Sequence, residues 1–128
     1  MPLASGLLSG KYTNETRFAD NDHRNFNRHG EAFDVGETFS GVDYERGVEA
    51  AHQFAELAAS VDLTPSVAAL AWVAQLPGVT TVIPGARTVE QARLNASAGS
   101  VGPLGDDFTA AVADIYDRFF RAAVHPRW

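Results

Sequence analysis

Apolar residues recur at helical spacing in four stretches of the chain. The first begins after Asp43, a candidate N-cap residue, and runs to residue 61 with acidic residues in its opening turns. The second opens at Thr64–Pro65, a hydroxyl side chain followed by proline at the first helical position, and covers residues 66–75. Because this second stretch is apolar nearly all round, we expect it to be largely buried.

Two more helices are predicted in the second half of the chain. One begins at Thr88, which forms a capping-box pattern with Gln91. The last follows a linker at residues 99–105, is capped by Asp106 or Asp107, and carries an apolar stripe. The stripe consists of Phe108, Ala111, Val112, Ile115, Phe119 and Phe120. The tail, residues 125–128, is predicted to be a loop.

Between the second and third helices lie five consecutive β-branched residues, Val79–Ile83, bounded on both sides by Pro-Gly. This composition is typical of a buried parallel strand. One strand needs neighbours for its backbone groups, so the chain is predicted to be part of a larger α/β structure. The pattern predicts a helix-dominated portion of such an α/β structure, with about one clear strand, four helices and one long loop. A (β/α)8 barrel, a common structure of this class, takes about 250 residues, roughly twice this chain.

Two segments show neither the 3.6-residue period of a helix nor the two-residue alternation of a strand. Residues 1–12 are small and apolar, and their glycines favour a loop in which backbone approaches another group closely. Residues 13–42 are polar, with isolated phenylalanines, and predict a long irregular excursion containing at most one short helix. A loop of that length is often a functional lid, and its phenylalanines suggest packing onto a surface. The alternative is a tethered, partly disordered loop.

Composition narrows the classes of function. The chain has 128 residues, 45% of them hydrophobic, and a formal charge of −6, which argues against nucleic-acid binding. Since it contains no cysteine, disulfides, thiol nucleophiles and Cys-ligated zinc are excluded. It opens without a signal-peptide pattern and has no apolar run of membrane-spanning length, so a cytoplasmic location without membrane contact is expected.

Scattered titratable residues give weak signals. The four histidines, His23, His29, His52 and His125, lack metal-ligand spacing and are interpreted as surface or packing residues. The acidic residues of the long loop lack the spacing of a calcium-binding loop and are interpreted as solvated. They are Asp20, Asp22, Glu31, Asp34 and Glu37. No metal site is predicted.

Three segments carry a resemblance to a known family. Residues 2–11, PLASGLLSGK, resemble the loop after the seventh barrel strand of aldo-keto reductases. Residues 65–87, PSVAALAWVAQLPGVTTVIPGAR, resemble the seventh helix, the eighth strand and the loop that follows it. Gln91 and Asn95 fall at the spacing that the family uses next, and residues 26–42 are similar to the long loop of a bacterial branch.

The resemblance implies that residues 1–128 are a single partial domain, the helix-dominated carboxyl-terminal part of a (β/α)8 TIM barrel. It comprises a cofactor loop (1–12), the long loop (13–42), and helices with the last strand (43–128). The implied cofactor is NADP, whose binding residues would be Pro2, Leu3, Ala4, Ser5, Lys11, Gly85, Arg87, Gln91 and Asn95.

Each of these residues has an implied role. Residues 2–5 would follow the pyrophosphate and ribose, and Lys11 would approach a phosphate. Gly85 would lie close to the adenosine, and Arg87 on the ribose 2′-phosphate, which a guanidinium can bind bidentately. Gln91 and Asn95 would surround the adenine. Leu94 stands where many relatives carry an acidic residue just before the asparagine.

The family reduces carbonyl groups with NADPH, using a Tyr, a Lys, an Asp and a His from earlier strands. Here Tyr12, Tyr44 and Tyr116 do not follow strands, and the single lysine, Lys11, belongs to the cofactor loop. We therefore predict no catalytic residue in this chain and no activity from it alone. Two alternatives are a non-enzymatic α-rich oligomeric module and one half of a split enzyme. The expected partner is a second copy, in a twofold dimer, or a missing amino-terminal half-barrel.

Overall fold

Six α-helices and five 3-10 segments make up the regular structure of residues 2–127, the part of the chain that the computed structural model describes. The helices are α1 (His23–Phe26), α2 (Tyr44–Ala59), α3 (Pro65–Gln75), α4 (Val89–Ser97), α5 (Gly105–Phe119) and α6 (Arg121–Val124). The 3-10 segments are Ala4–Ser9, Val35–Glu37, Phe39–Gly41, Ala98–Ser100 and His125–Arg127. Met1 and Trp128, the ends of the predicted loop and tail, lie outside the described residues.

The two central helices are confirmed, although the Thr64 hydroxyl makes no cap hydrogen bond at the start of α3. The Asp43 carboxylate accepts a hydrogen bond of 3.1 Å from the Arg46 N–H and caps α2 as predicted. The predicted apolar face of α2 is buried from Tyr44 to Ala58, but the helix ends at Ala59 and Val61, predicted to continue the face, is 38% exposed. In α3, every residue from Val67 to Ala71 is buried, which agrees with its nearly all-apolar sequence.

The core joins α2, α3 and α5. The rings of Phe54 in α2 and Phe108 in α5 meet edge to face, with centroids 6.2 Å apart. Trp72 of α3 packs against the same cluster, and its indole N–H donates to the Thr109 hydroxyl at 3.3 Å. The rest of the predicted α5 stripe is half-buried.

The start of α4 is confirmed and that of α5 is corrected. The Thr88 hydroxyl accepts from the Gln91 N–H at 3.2 Å and caps α4. In contrast, α5 begins at Gly105, ahead of both predicted caps, because Leu104 packs into the core and sets the entry point. Asp106 and Asp107 lie in the first turn, where the helix dipole favours negative charge. The tail is also helical, since α6 and a 3-10 turn cover residues 121–127.

The predicted strand Val79–Ile83 is wrong, since no strand is assigned within residues 2–127. Ile83 is 85% exposed, so the segment is also not a buried one. In this segment only the Val79 N–H donates to another backbone group, the Leu76 carbonyl at 3.1 Å. The physical reason is that a strand is defined by partners, and this part of the chain offers none.

The long loop is ordered around its aromatic residues. Phe39 is fully buried, and its ring lies 5.9 Å from that of Phe18 and 5.1 Å from that of Tyr44. Surface packing was therefore correctly expected for these phenylalanines. Phe26 and Phe33 instead contact each other and remain 43% exposed. The predicted single short helix is α1, supplemented by two 3-10 turns.

The histidines and the acidic residues of the long loop lie at or near the protein surface. The four histidines are exposed or half-buried, and no group of three metal-ligating side chains occurs in the described residues. The acidic residues of the long loop are exposed except Asp22, which is half-buried. No helix in residues 2–127 is long and apolar enough to cross a membrane.

Candidate functional site

The first predicted cofactor segment lies between the two ends of the core. Leu3 packs against the clusters on α3, whereas Ala4 packs against the cluster around Phe39 and Tyr44. Residues 2–5 are half-buried, and Lys11 is exposed beyond the turn. The segment is therefore anchored to the core through Leu3 and Ala4, while Lys11 extends into solvent.

Its backbone follows an unusual path. Ala4, Ser5 and Gly6 all have positive φ, at 46°, 55° and 94°. The Leu3 carbonyl accepts from the N–H groups of Gly6 and Leu8, at 2.9 and 3.4 Å, and closes the turn. Such left-handed residues are strained unless they are glycine, so the surrounding structure must hold the segment in place.

The Ser5 side chain supplies part of that hold. Its hydroxyl accepts from the Phe39 N–H at 3.0 Å and donates to the Glu37 carbonyl at 3.5 Å. These contacts join the amino-terminal segment to the long loop more than thirty residues away. Ser5, predicted as a cofactor contact, therefore also links two segments of the fold.

The second set of predicted residues meets at the start of α4. The Asn95 amide donates to the Gly85 carbonyl at 3.1 Å, and the Arg87 N–H donates to the Gln91 side-chain oxygen at 2.7 Å. Gln91 therefore reaches Arg87 rather than the N-cap residue, one position earlier than a standard capping box. The two amide side chains hold the 85–87 turn against the helix.

An apolar cleft of about 420 Å³ adjoins this turn. It is lined by Leu70, Ala74, Val82, Pro84, Ala86, Ala92, Asn95, Ala96, Ala98 and Gly99. Asn95 is the single polar side chain in this lining. A mostly apolar wall with one polar group is typical of small-molecule sites, and the volume falls in their usual range.

Helix α3 connects the two predicted cofactor segments. Leu3 from the first and Val82 from the second both pack against the cluster formed by Val67, Leu70, Ala71 and Ala98. The structure therefore brings Gly85, Arg87, Gln91 and Asn95 together, and Leu3 of the 2–5 segment contacts the same apolar cluster as Val82.

The charge at the start of α4 is mixed. The Arg87 side chain is exposed. Glu90 lies in the first turn, where its own backbone N–H and the Thr88 hydroxyl donate to it and lower the pKa of its carboxyl. A carboxylate thus occupies part of the positive helix terminus, a feature that the sequence analysis missed.

A second cleft, of about 670 Å³, lies beside the start of α2 and includes none of the predicted cofactor residues. Its lining carries Glu15, Asp43, Glu45 and Glu49, with Arg46 and His52. Four carboxylates disfavour a phosphate-bearing ligand, so this cleft is a poor candidate for a nucleotide.

The tyrosine hydroxyls are engaged elsewhere. Tyr44 donates to the Thr13 carbonyl at 2.9 Å, Tyr116 lies 3.3 Å from His125 Nδ1, and Tyr12 bonds to Arg24. No hydrogen bond pairs any of them with Lys11 in the described part of the chain. The sequence analysis did not single out Arg24 and interpreted Asp22 as solvated. The two side chains instead form an ion pair of 2.5 Å next to the cofactor segment.

Comparison with known proteins gives a consistent picture. The model of the aldo/keto reductase family matches residues 1–117. An uncharacterised oxidoreductase of Mycobacterium bovis is 36% identical over 100 residues, which is 78% of this chain and 27% of that protein. A probable voltage-gated potassium channel subunit beta of Arabidopsis thaliana is 32% identical over 108 residues, 80% of this chain and 29% of that protein.

The chain therefore spans less than a third of the length of the curated relatives it matches. The family match itself extends over most of the chain and includes both predicted cofactor segments. From this coverage, the chain belongs to the aldo/keto reductase family.

Proposed function

We propose that this chain is the NADP-binding, carboxyl-terminal portion of an aldo/keto-reductase-like oxidoreductase. One observation carries the proposal: the side chains of Gln91 and Asn95 hold the Gly85–Arg87 turn at the start of α4, beside an apolar cleft. Those four residues were selected by the family resemblance, and the fold brings them to one place.

The cleft fits the adenosine end of a dinucleotide. Its alanine, leucine and valine side chains offer apolar surface to a purine, and Asn95 offers an amide. Arg87, which is exposed and follows Ala86 of the lining in sequence, suits a phosphate on the ribose. Leu94 is 42% exposed and supplies no acceptor for an amino group, so adenine is expected to bind mainly by apolar contact.

When bound, NADPH supplies a hydride for carbonyl reduction. The proton must come from a protein group, and none of Tyr12, Tyr44 and Tyr116 bonds to Lys11 within residues 2–127. We therefore expect the 128-residue chain to bind the cofactor without reducing carbonyl compounds. Turnover of a broad aldehyde panel, in a preparation free of host reductases, would contradict this part of the proposal.

The direct test is binding of NADPH and NADH to the purified chain, measured by fluorescence and calorimetry. We expect a preference for NADPH that Arg87→Ala removes, because losing a charged hydrogen bond costs about 1.5–3 kcal/mol, roughly 10- to 150-fold in affinity. Arg93→Ala is the matched control. Arg93 is an exposed arginine of α4 two residues from Gln91, which places it about 200° around the helix from Gln91.

Equal affinity for the two nucleotides in the unmodified chain would refute the role of Arg87. An equal loss in Arg87→Ala and Arg93→Ala would show that general positive charge, rather than one guanidinium, attracts the cofactor. Absence of binding to either nucleotide would refute the proposed function for this chain.

A second candidate is an oligomeric or split arrangement, in which another polypeptide covers residues 79–83. The supporting observation is the exposure of this β-branched segment, with Ile83 at 85%. Either a second copy or an amino-terminal half-barrel would supply strand partners. The two are separated by the mass of the purified chain in solution, because only the first predicts self-association.

A further inference from the structure

Asp22 and Arg24 form the most extensive side-chain network of the long loop. The Arg24 guanidinium donates to both carboxylate oxygens of Asp22, from Nε at 2.8 Å and from Nη2 at 2.5 Å. The Arg24 backbone N–H donates to the same carboxylate at 2.9 Å. Both side chains are mostly shielded, with 19% and 22% of their surface exposed for Arg24 and Asp22. This is the bidentate geometry in which arginine and carboxylate bind most strongly.

The same guanidinium also packs on aromatic rings. Its central carbon lies 4.6 Å from the centre of the Phe18 ring and 5.5 Å from that of Tyr12. Phe18 in turn contacts the buried Phe39. Ion pair and rings therefore fix the Arg24 side chain from two directions, which limits its choice of conformation.

The remaining nitrogen of Arg24, Nη1, faces the cofactor segment. It donates to the Ser5 carbonyl at 3.4 Å and to the Tyr12 hydroxyl. Tyr12 lies against Gly6, where an added Cβ would come within 3.0 Å of the Tyr12 hydroxyl. Arg24 thus bonds to Ser5 and, through Tyr12, contacts the surroundings of Gly6, which are two of the three consecutive left-handed residues Ala4, Ser5 and Gly6.

The contacts of Arg24 stabilise a strained part of the backbone. Ala4 and Ser5 hold positive φ values that non-glycine residues adopt only when surrounding structure enforces them. The Ser5 hydroxyl is already held by the 37–39 backbone, and Arg24 holds the Ser5 carbonyl. Ser5 is therefore held both at its hydroxyl and at its carbonyl, and together these contacts fix the orientation of its peptide groups.

We propose that Arg24, oriented by Asp22, is a positioning residue that holds the Pro2–Ser5 segment in its cofactor-binding conformation. The inference rests on the proposed function, because the segment's role is the predicted contact with the NADP pyrophosphate. Arg24 acts through Ser5 and Tyr12. The long loop thereby serves as a fixed support for the site, in place of the movable lid suggested by its length.

A lysine cannot replace Arg24 in this role. The guanidinium presents its donors in a rigid plane and reaches Asp22, Tyr12 and Ser5 at once, whereas an ammonium is a single charged point on a flexible stem. Arg24→Lys therefore keeps the charge and loses the geometry. Arg24→Gln loses both.

The first measurement is the NADPH dissociation constant of the unmodified chain, Arg24→Lys and Arg24→Gln, well below each melting temperature. We expect both variants to weaken NADPH binding by about tenfold or more. Each variant loses at least one of the charged hydrogen bonds that the Arg24 guanidinium makes to Ser5, Tyr12 and Asp22. Arg28→Gln is the matched control. Arg28 also stacks on an aromatic ring, at 4.7 Å from the centre of Tyr44, but its guanidinium bonds to the Arg24 carbonyl rather than to residues 2–9.

The second measurement is hydrogen exchange at the Gly6 and Leu8 amides, which donate to the Leu3 carbonyl. In both Arg24 variants we expect faster exchange of the Gly6 and Leu8 backbone amides. Exchange of the Gln91 backbone amide, at the start of α4, should be unchanged. Unaltered NADPH affinity in Arg24→Gln, or an equal loss in Arg28→Gln, would overturn the proposal. If the unmodified chain binds no NADPH, the proposed function fails. Exchange then decides whether Arg24 orders the segment: faster exchange supports that role and unchanged exchange rejects it.

Discussion

Replacing Asp22 with asparagine removes the charge of the Asp22–Arg24 pair while leaving the rest of its surroundings in place. Asparagine caps a helix about as well as aspartate, and the Asp22 side chain caps α1 through the Arg24 N–H. The substitution is therefore selective for the ion pair. Any loss of stability reports on the interaction between the carboxylate and the guanidinium.

The size of that loss follows from the pKa of the carboxyl. Hydrogen bonds from the Arg24 side chain lower the pKa of Asp22 from 3.8 to about 2. Because the folded state holds the proton less tightly than the unfolded state, the contribution is fully present above pH 3.8 and is lost as the pH falls through 2. By linkage, it amounts to about 2 kcal/mol at pH 7, about half of that at pH 3, and only a small remainder at pH 2.

The assay is urea unfolding followed by circular dichroism at 222 nm, at pH 7 and pH 3. We expect Asp22→Asn to lower the free energy of unfolding by about 2 kcal/mol at pH 7 and by about half as much at pH 3. The matched control is Asp34→Asn. Asp34 caps a 3-10 turn through the Gly36 N–H at 2.7 Å, and no ion pair joins it to an arginine within residues 2–127.

The reasoning is refuted if Asp22→Asn is as stable as the unmodified chain at pH 7. It is also refuted if the difference between the two is the same at both pH values, because a pH-independent loss would reflect packing rather than charge. A comparable loss in Asp34→Asn would show that capping, which both residues provide, accounts for the effect.

Two further predictions concern the second half of the chain. Thr88→Ala should lower the free energy of unfolding by about 1 kcal/mol, because the Thr88 hydroxyl caps α4. Thr64→Ala should lower it by less, since Thr64 makes no side-chain cap bond. Urea unfolding measures both. The chain should self-associate through residues 79–83, as a twofold dimer by light scattering at micromolar concentration. Ile83→Glu should then yield monomers, whereas Val61→Glu, at an exposed apolar position in the turn after α2, should not. A cooperatively melting monomer of 13.7 kDa in the unmodified chain would argue against the dimer.

Helices were predictable from the sequence because their determinants are local. The Asp43 and Thr88 caps each act within three residues, and the buried side of α2 follows the 3.6-residue period. The error at α5 came from a non-local contact. Leu104 enters the core formed by other helices, so the helix begins before the two aspartates that local rules favour as caps.

The candidate site was predictable where the chain itself brings residues together. Gly85 and Asn95 are ten positions apart and lie on a turn and the helix that follows it, so their contact is nearly local. Arg24 and Ser5 are nineteen positions apart with an irregular segment between them. No periodicity connects them. The available signal was the Asp22-x-Arg24 pair itself, flanked by Tyr12 and Phe18 in a loop otherwise lacking pattern.

The segment 79–83 shows why a strand differs from a helix in this respect. A helix makes its backbone hydrogen bonds within itself, so local sequence preferences are enough to predict α3, the helix that precedes this segment. Five β-branched residues have an equally clear preference, yet their backbone groups are satisfied only by a neighbouring chain segment. Within residues 2–127 that neighbour is lacking, and Ile83 is left 85% exposed. The preference therefore persists as an exposed apolar segment, and whichever polypeptide pairs with it determines whether the strand forms.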